Sequence, residues 1–205
     1  MYKNIIKRLI DFVLATIGII VLIPVWIILA VAIKIDDPGP VLFSQKRFAR
    51  DGKDGQPRFF KIYKYRSMKT STPKDMPTHM LKNPEQYITR VGGFLRKTSL
   101  DELPQIFNIW MGQMAIVGPR PALYNQTDLY DERAKYGANK VAPGLTGFAQ
   151  INGRDELEIV EKAKLDGEYV KKMSFLFDLK CFIGTFASVA KQEGIVEGGT
   201  GALKK

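Results

Sequence analysis

The sequence predicts an α+β protein, mainly helical: a hydrophobic N-terminal helical segment followed by one small globular domain with a β-hairpin and amphipathic helices suited to a membrane interface. Three observations predict it. Residues Leu9 to Ile33 form an apolar run whose only charge is Asp11. Two short strand-like runs flank the turn-rich stretch Asp51-Gly52-Lys53-Asp54-Gly55-Gln56-Pro57, the pattern of a hairpin with a long loop. The remaining periodic segments are short and read as helices, with no internal repeat, heptad array or linker. The 205 residues, 45% of them hydrophobic, leave room for one domain with an appendage.

Taken in chain order, the apolar run comes first. It is long enough to cross a hydrocarbon core of about 30 Å as a helix, and it is apolar on all sides, unlike a surface helix of a soluble domain. No small-x-small cleavage site follows it, which speaks against a signal peptide. Basic residues lie on both flanks, Lys3, Lys7 and Arg8 before and Lys34, Lys46, Arg47 and Arg50 after, so the positive-inside rule assigns no direction. Pro24 removes a helix hydrogen bond and clashes with the preceding turn. A kinked helix that enters and leaves by one face fits both facts, and a spanning helix with a proline kink fits them too. The organisation read from this is residues 1–34 as the membrane segment with its helix break at Pro24, 35–192 as the globular domain, and 193–205 as a flexible Gly/Lys-rich tail.

Val41 to Phe48 and Phe59 to Arg66 are the two strands. In the second, period two sets Phe60, Ile62, Lys64 and Arg66 on one face, so apolar neighbours anchor a strand that aims Lys64 at a ligand. Residues 70–88 read as a loop or irregular insert. Thr89 to Lys97 reads as a short helix delivering Arg96, and Leu103 to Trp110 as a helix ending near Gly112. Ala115-Ile116-Val117 is short and buried. Leu123 to Lys135 reads as a polar helix, Pro143 to Gly147 as a turn, and 155–172 as a charged helix. Met173 to Ala190 is apolar except for Asp178 and Lys180 and suits either packing on the core or, the favoured reading, partial burial in a membrane interface.

The candidate site is the acid pair Asp101-Glu102, set between apolar residues in a chain of net charge +10. Two readings apply to it. Ser99 and Glu102 have the spacing of a helix capping box, and Asp101 is an acceptable N-cap. Alternatively the pair supplies a carboxylate nucleophile or a metal ligand beside a phosphate site. The two are compatible, because a helix start presents free N–H groups to anions. Arginine recognises phosphate through a fixed fork of donors, and Arg96, Arg120 and Arg154 each sit beside Gly, Pro or a helix terminus. A single histidine (His79) and a single cysteine (Cys181) argue against zinc, Ser-His and Cys-His chemistry. There is no Walker A loop, no Gly-x-Gly-x-x-Gly after a strand and no Asp-x-Asp triplet. Residues 35–205 hold 27 Lys/Arg against 20 Asp/Glu, a surplus suited to an anionic surface, an anionic substrate or nucleic acid. An aspartate that attacks phosphorus, with magnesium and arginines neutralising the transferred group, fits these residues.

Over residues 1–190 the chain resembles the monotopic phosphoglycosyl transferases, small bacterial sugar transferases that start glycan assembly on a polyprenol phosphate. The resemblance rests on an ordered series: the basic N-terminus and hydrophobic segment with Pro24, Phe60-Lys61-Ile62-Tyr63-Lys64-Tyr65-Arg66-Ser67-Met68, and the stretch from Leu95 to Gln105. Val117-Gly118-Pro119-Arg120-Pro121, Pro143-Gly144-Leu145-Thr146-Gly147 and Gln150-Ile151-Asn152-Gly153-Arg154 complete it. It implies that Asp101 is the nucleophile that takes a phosphosugar from a UDP-sugar, releasing UMP, and that polyprenol (undecaprenyl) phosphate then attacks the aspartyl intermediate. It also implies that Asp101 helps hold Mg²⁺, that Glu102 assists, and that Lys64, Arg96, Arg120 and Arg154 bind substrate. The hydrophobic segment becomes a re-entrant helix-break-helix, with the catalytic domain on the cytoplasmic face of the bacterial inner membrane. The family often has Ser before the helix-breaking Pro, whereas this chain has Ile23. The expected partners are a nucleotide-diphosphate sugar, polyprenol phosphate and the membrane, with no nucleic acid; a homo-oligomer is compatible. The alternative is a membrane-anchored basic module that binds anionic lipid or nucleic acid without catalysis.

Overall fold

The computed structural model describes residues 2–72, 83–153 and 157–191. Arg154, His79 and the 193–205 tail lie outside the described residues, as does much of the expected 70–88 insert. The architecture is α+β and mainly helical, as expected. After a π-helical turn over Tyr2–Ile6 come α1 (Lys7–Val21) and α2 (Ile23–Asp36). The hairpin β1 (Leu42–Phe48) and β2 (Phe59–Tyr65) follows, then α3 (Arg90–Lys97), α4 (Gln105–Trp110), β3 (Ala115–Val117) and α5 (Thr127–Lys135). The chain continues through β4 (Gly144–Thr146), α6 (Phe148–Ile151), α7 (Ile159–Lys172) and α8 (Phe175–Lys191).

Among the described residues no single helix is long and apolar enough to cross a membrane. The pair α1 and α2 passes that test jointly, with a bend of 62° between its halves. The break falls at Leu22, two residues before Pro24, which sits in the first turn of α2. Proline belongs there: first-turn amides have no intrahelical acceptor, while the ring excludes a continuous helix through the residues before it. The sequence placed the break at Pro24 itself, and the steric origin of the bend explains the offset.

Both halves of the pair return to the same globular body. Lys7, Asp11 and Ala15 of α1 are buried, and so are Leu29 and Ile33 of α2. Ala15 joins a core with Phe60, Ile62, Ile109 and Met114, and Leu29 and Ile33 pack with Tyr65 and Leu95. Asp11 Oδ1 accepts from the Ile116 amide at 3.2 Å. Lys7 Nζ donates to Asp178 at 2.8 Å, and Asp178 also accepts from the hydroxyls of Tyr2 and Tyr169. At the far end, Asp36 accepts from the Val91 amide at 2.7 Å, and Arg66 pairs with Asp37. The outward faces of both helices remain apolar and exposed, with Ile17, Ile20, Ile27, Ile28 and Val31 among them.

The hairpin is antiparallel, with Leu42 opposite Tyr65 and Phe48 opposite Phe59. Its register follows from burying Phe60 and Ile62. Pro143 to Gly147 was expected to be a turn; its centre is instead β4, parallel to β3. Three residues are too few to show a strand period, and glycine hides the pairing. A Cβ at Gly144 would lie 2.1 Å from the Gly118 nitrogen, so the two strands approach only because side chains are absent there. The expected helix from Leu123 begins at Thr127, because Leu123 bridges to Arg47 of the hairpin. α8 buries Cys181 and Asp178 and leaves Phe175, Leu176, Leu179, Phe182, Ile183 and Phe186 exposed. That spacing is one helical stripe.

Candidate active site

The acid pair lies on a 3₁₀ turn, Leu100–Glu102, between α3 and α4. Thr89 caps α3, its hydroxyl accepting from the Gly92 amide at 2.9 Å. Gly92 is required at the contact with the chain just after β2, since a Cβ there would sit 2.0 Å from the Ser67 carbonyl oxygen. Ser99 ends α3 in the left-handed region, at φ 57°, a conformation disfavoured for residues with a Cβ. This reversal throws Asp101 and Glu102 back toward β2. The capping box expected from Ser99 and Glu102 does not form. Ser99 makes no side-chain cap, and the Glu102 carboxylate is committed elsewhere.

Glu102 sits between two cations. Lys64 Nζ donates to its Oε1 at 2.7 Å. Arg120 reaches it through both terminal nitrogens, at 2.7 and 3.3 Å, the forked geometry of a strong guanidinium–carboxylate pair. Burial alone would raise this carboxyl's pKa. Arg120 and Lys64 outweigh that effect and hold it well below the usual glutamate range.

Asp101 has the opposite balance. Its side chain is only 13% exposed, and its ion pair is with Lys64 Nζ at 3.9 Å. It accepts no hydrogen bond among the described residues. Desolvation raises its pKa, Glu102 adds to the rise, and Lys64, Arg96 and Arg120 oppose it without cancelling it. A largely shielded carboxylate of raised basicity with open lone pairs is chemically suited to attack an electrophile or to bind a metal ion.

The structure thus gathers four of the residues singled out in the sequence, Lys64, Asp101, Glu102 and Arg120. Arg96 stands close enough for its charge to act on Asp101, and its Nε is held by Ser67 Oγ at 2.9 Å. Arg154 falls outside the described residues. Sequence reading missed the residues that hold these side chains in place. Asn108 of α4 accepts from the Tyr63 amide at 3.0 Å and donates to the Lys61 carbonyl at 2.8 Å. Its amide docks α4 against the edge of β2 on either side of Lys61–Tyr63, next to Lys64. No local pattern marks Asn108, since its partners lie 45 and 47 residues away in sequence.

Residues 2–192 match the family model described as bacterial sugar transferase. The chain belongs to that family. Relatives in the family include the UDP-glucose:undecaprenyl-phosphate glucose-1-phosphate transferase of Escherichia coli K12, 42% identical over 87% of this chain and 39% of the relative. The protein of that name from Xanthomonas campestris is 35% identical over 94% of this chain and 40% of its own length. An uncharacterized sugar transferase, EpsL of Bacillus subtilis, is 39% identical over 93% of this chain and 90% of its own. The chain therefore spans about two fifths of the length of the first two relatives, and nearly all of this family member from Bacillus.

Proposed function

We propose that the protein transfers a phosphosugar from a UDP-sugar to polyprenol (undecaprenyl) phosphate, releasing UMP, as a first membrane step of bacterial glycan assembly. The observation that carries this reading is Asp101, a largely shielded carboxylate left without a hydrogen bond among the described residues beside Lys64, Arg96 and Arg120. The family and the names of the relatives supply the substrate class.

In the first step an Asp101 oxygen attacks the phosphorus that bears the sugar. A P–O bond forms, the bond to the bridging oxygen breaks, and UMP leaves with that electron pair. In the second step a phosphate oxygen of polyprenol phosphate attacks the same phosphorus, the acyl phosphate bond breaks, and the Asp101 carboxylate is regenerated. Lys64, Arg96 and Arg120 stabilise charge on the transferred group. Glu102, ionised and clamped by two cations, acts by holding Lys64 and Arg120 in place and is a poor base.

Mg²⁺ fits this donor set. The ion is characteristically held by one or two carboxylates together with substrate phosphates, and Asp101 offers open lone pairs. Among the described residues no group of three acidic, His or Cys side chains gathers at one point; Asp101 would hold the ion together with the substrate's diphosphate. When bound, the ion neutralises charge on the diphosphate.

The bent pair α1 and α2 is read as a re-entrant membrane segment, with the domain on the cytoplasmic face of the inner membrane. Its support is that Lys7 and Asp11 at one end, and Asp36 and Asp37 at the other, bond to the same globular body. The exposed apolar stripe of α8 is read as lying against the membrane interface.

Two experiments test these readings. Purified protein with Mg²⁺, polyprenol phosphate and a panel of UDP-sugars is expected to release UMP; salt-sensitive binding of anionic lipid with no turnover would point instead to a binding module. For topology, Lys3→Cys and Lys34→Cys in a Cys181→Ser background are expected to label equally from the cytoplasmic side. Opposite accessibility would establish a spanning segment.

A further inference from the structure

Arg133 and Asp166 form a buried pair that the proposed reaction does not use. Arg133 is 4% exposed and Asp166 1%. Arg133 Nε donates to Asp166 Oδ2 at 2.8 Å, and a terminal nitrogen lies 2.6 Å from the same oxygen. The other terminal nitrogen donates to the Arg120 carbonyl at 2.9 Å. One guanidinium therefore ties α5 to α7 and, with its remaining arm, grips the main chain of the residue that clamps Glu102. The neighbouring carbonyls are held as well: Pro119 accepts from the Gly144 amide at 2.8 Å, and Pro121 from Arg47 at 3.0 Å. Pro119 and Pro121 also fix their own φ angles. Arg120 thus stands on a backbone clamped at three successive carbonyls, the middle one by Arg133.

A buried ion pair is by itself weak evidence for stability, because apolar residues of similar volume often replace it without loss. Here Asp166 engages two arms of the fork and leaves the third for Arg120. We propose that Arg133, oriented by Asp166, is a positioning residue that sets the aim of Arg120 at Glu102 and at the transferred phosphosugar. The inference rests on the transferase reading above.

The test is a double-mutant cycle on the full chain with Mg²⁺, polyprenol phosphate and the most active UDP-sugar. Arg133→Lys keeps a charge for Asp166 but lacks the planar fork that serves two partners. It is expected to lower kcat for UMP release roughly tenfold, with KM changed less, since a small misplacement of a charge-stabilising group costs rate. In an Arg120→Ala background the same substitution is expected to change kcat by less than about twofold, because the residue through which it acts is gone. Asp166→Asn is the second variant, with a smaller loss that also vanishes in Arg120→Ala. Thermal midpoints accompany each measurement. Equal losses in both backgrounds overturn the inference alone, and so does failure of both variants to fold, which makes the pair structural. A wild-type protein that releases no UMP with any UDP-sugar overturns the transferase reading and the inference with it.

Discussion

Lys7, Asp11 and Asp178 form a cluster of buried charge in this protein; Lys64, Asp101, Glu102 and Arg120 form a second, half-buried one. In the first, both acids have hydrogen-bond partners. Asp178 accepts from Tyr2, Lys7 and Tyr169, while Asp11 takes the Ile116 amide and stands 3.6 Å from Lys7. In the second, Glu102 absorbs two cations and Asp101 is left with one at 3.9 Å. Buried polar groups are ordinarily satisfied, so the first cluster is what a folded structure requires. In the second, Asp101 is only partly buried and keeps its oxygens free of hydrogen bonds to the described residues. The difference teaches where to look for chemistry: at the carboxylate that folding has not fully used.

The sharpest way to break this comparison is Asp101→Asn. UMP release is expected to fall on the order of 10³-fold or more, as for loss of a covalent nucleophile. Its effect on stability has the opposite sign. The folded pKa of Asp101 lies above its ordinary value, so ionising it penalises the folded state once pH exceeds the unfolded pKa. Removing the charge is expected to raise the thermal midpoint at pH 7, as at other strained functional sites. Full activity in this variant would end its assignment as nucleophile.

Asp178→Ala tests the first cluster. It strips Lys7 of a buried partner and is expected to cost about 3–5 kcal/mol in chemical denaturation, while UMP release per folded molecule stays within about twofold. A selective loss of turnover at full stability would show that the two clusters are not distinct in kind.

Glu102→Gln lies between these cases. It leaves Lys64 and Arg120 facing a neutral group, at an expected cost of about 1–3 kcal/mol at pH 7. Glu102 has a folded pKa below its ordinary 4.5. Its stabilisation is therefore complete above the unfolded pKa and disappears as pH falls through the folded value. The stability gap between the wild type and the Glu102→Gln variant is expected to close along that acid limb; a gap independent of pH would refute the ion-pair account.

The smallest effect is expected from Phe182→Ser on the exposed stripe of α8. Stability in detergent should change by less than about 0.5 kcal/mol, with weaker sedimentation with anionic vesicles. Unchanged vesicle binding would remove α8 from the membrane surface.

Much of this was legible in the sequence because it depends on local pattern. The hairpin declared itself through Phe60 and Ile62 around a turn-rich loop, and α3 through Thr89 and its apolar spacing. The acid pair stood out by charge in an apolar setting. What was not legible depends on distant partners. β4 is too short to show a period, and its pairing with β3 rests on the absence of side chains at Gly118 and Gly144. The local spacing of Ser99 and Glu102 suggested a capping box, but tertiary cations outcompeted it. The supports of the site, Asn108, Ser67, Arg133 and Asp166, are ordinary polar residues until the fold brings their partners to them.

The bond from Lys7 to Asp178 closes a span of 171 residues. A ribosome releases the hydrophobic helices long before the acceptor. Asp11 meets its Ile116 partner earlier, but throughout that interval Lys7 lacks the acceptor that pairs with it. Contacts of such separation form late. The N-terminal end of α1 is thus tied down only when α7 and α8 arrive, and a chain truncated before Tyr169 is expected to leave Lys7 without its Asp178 partner.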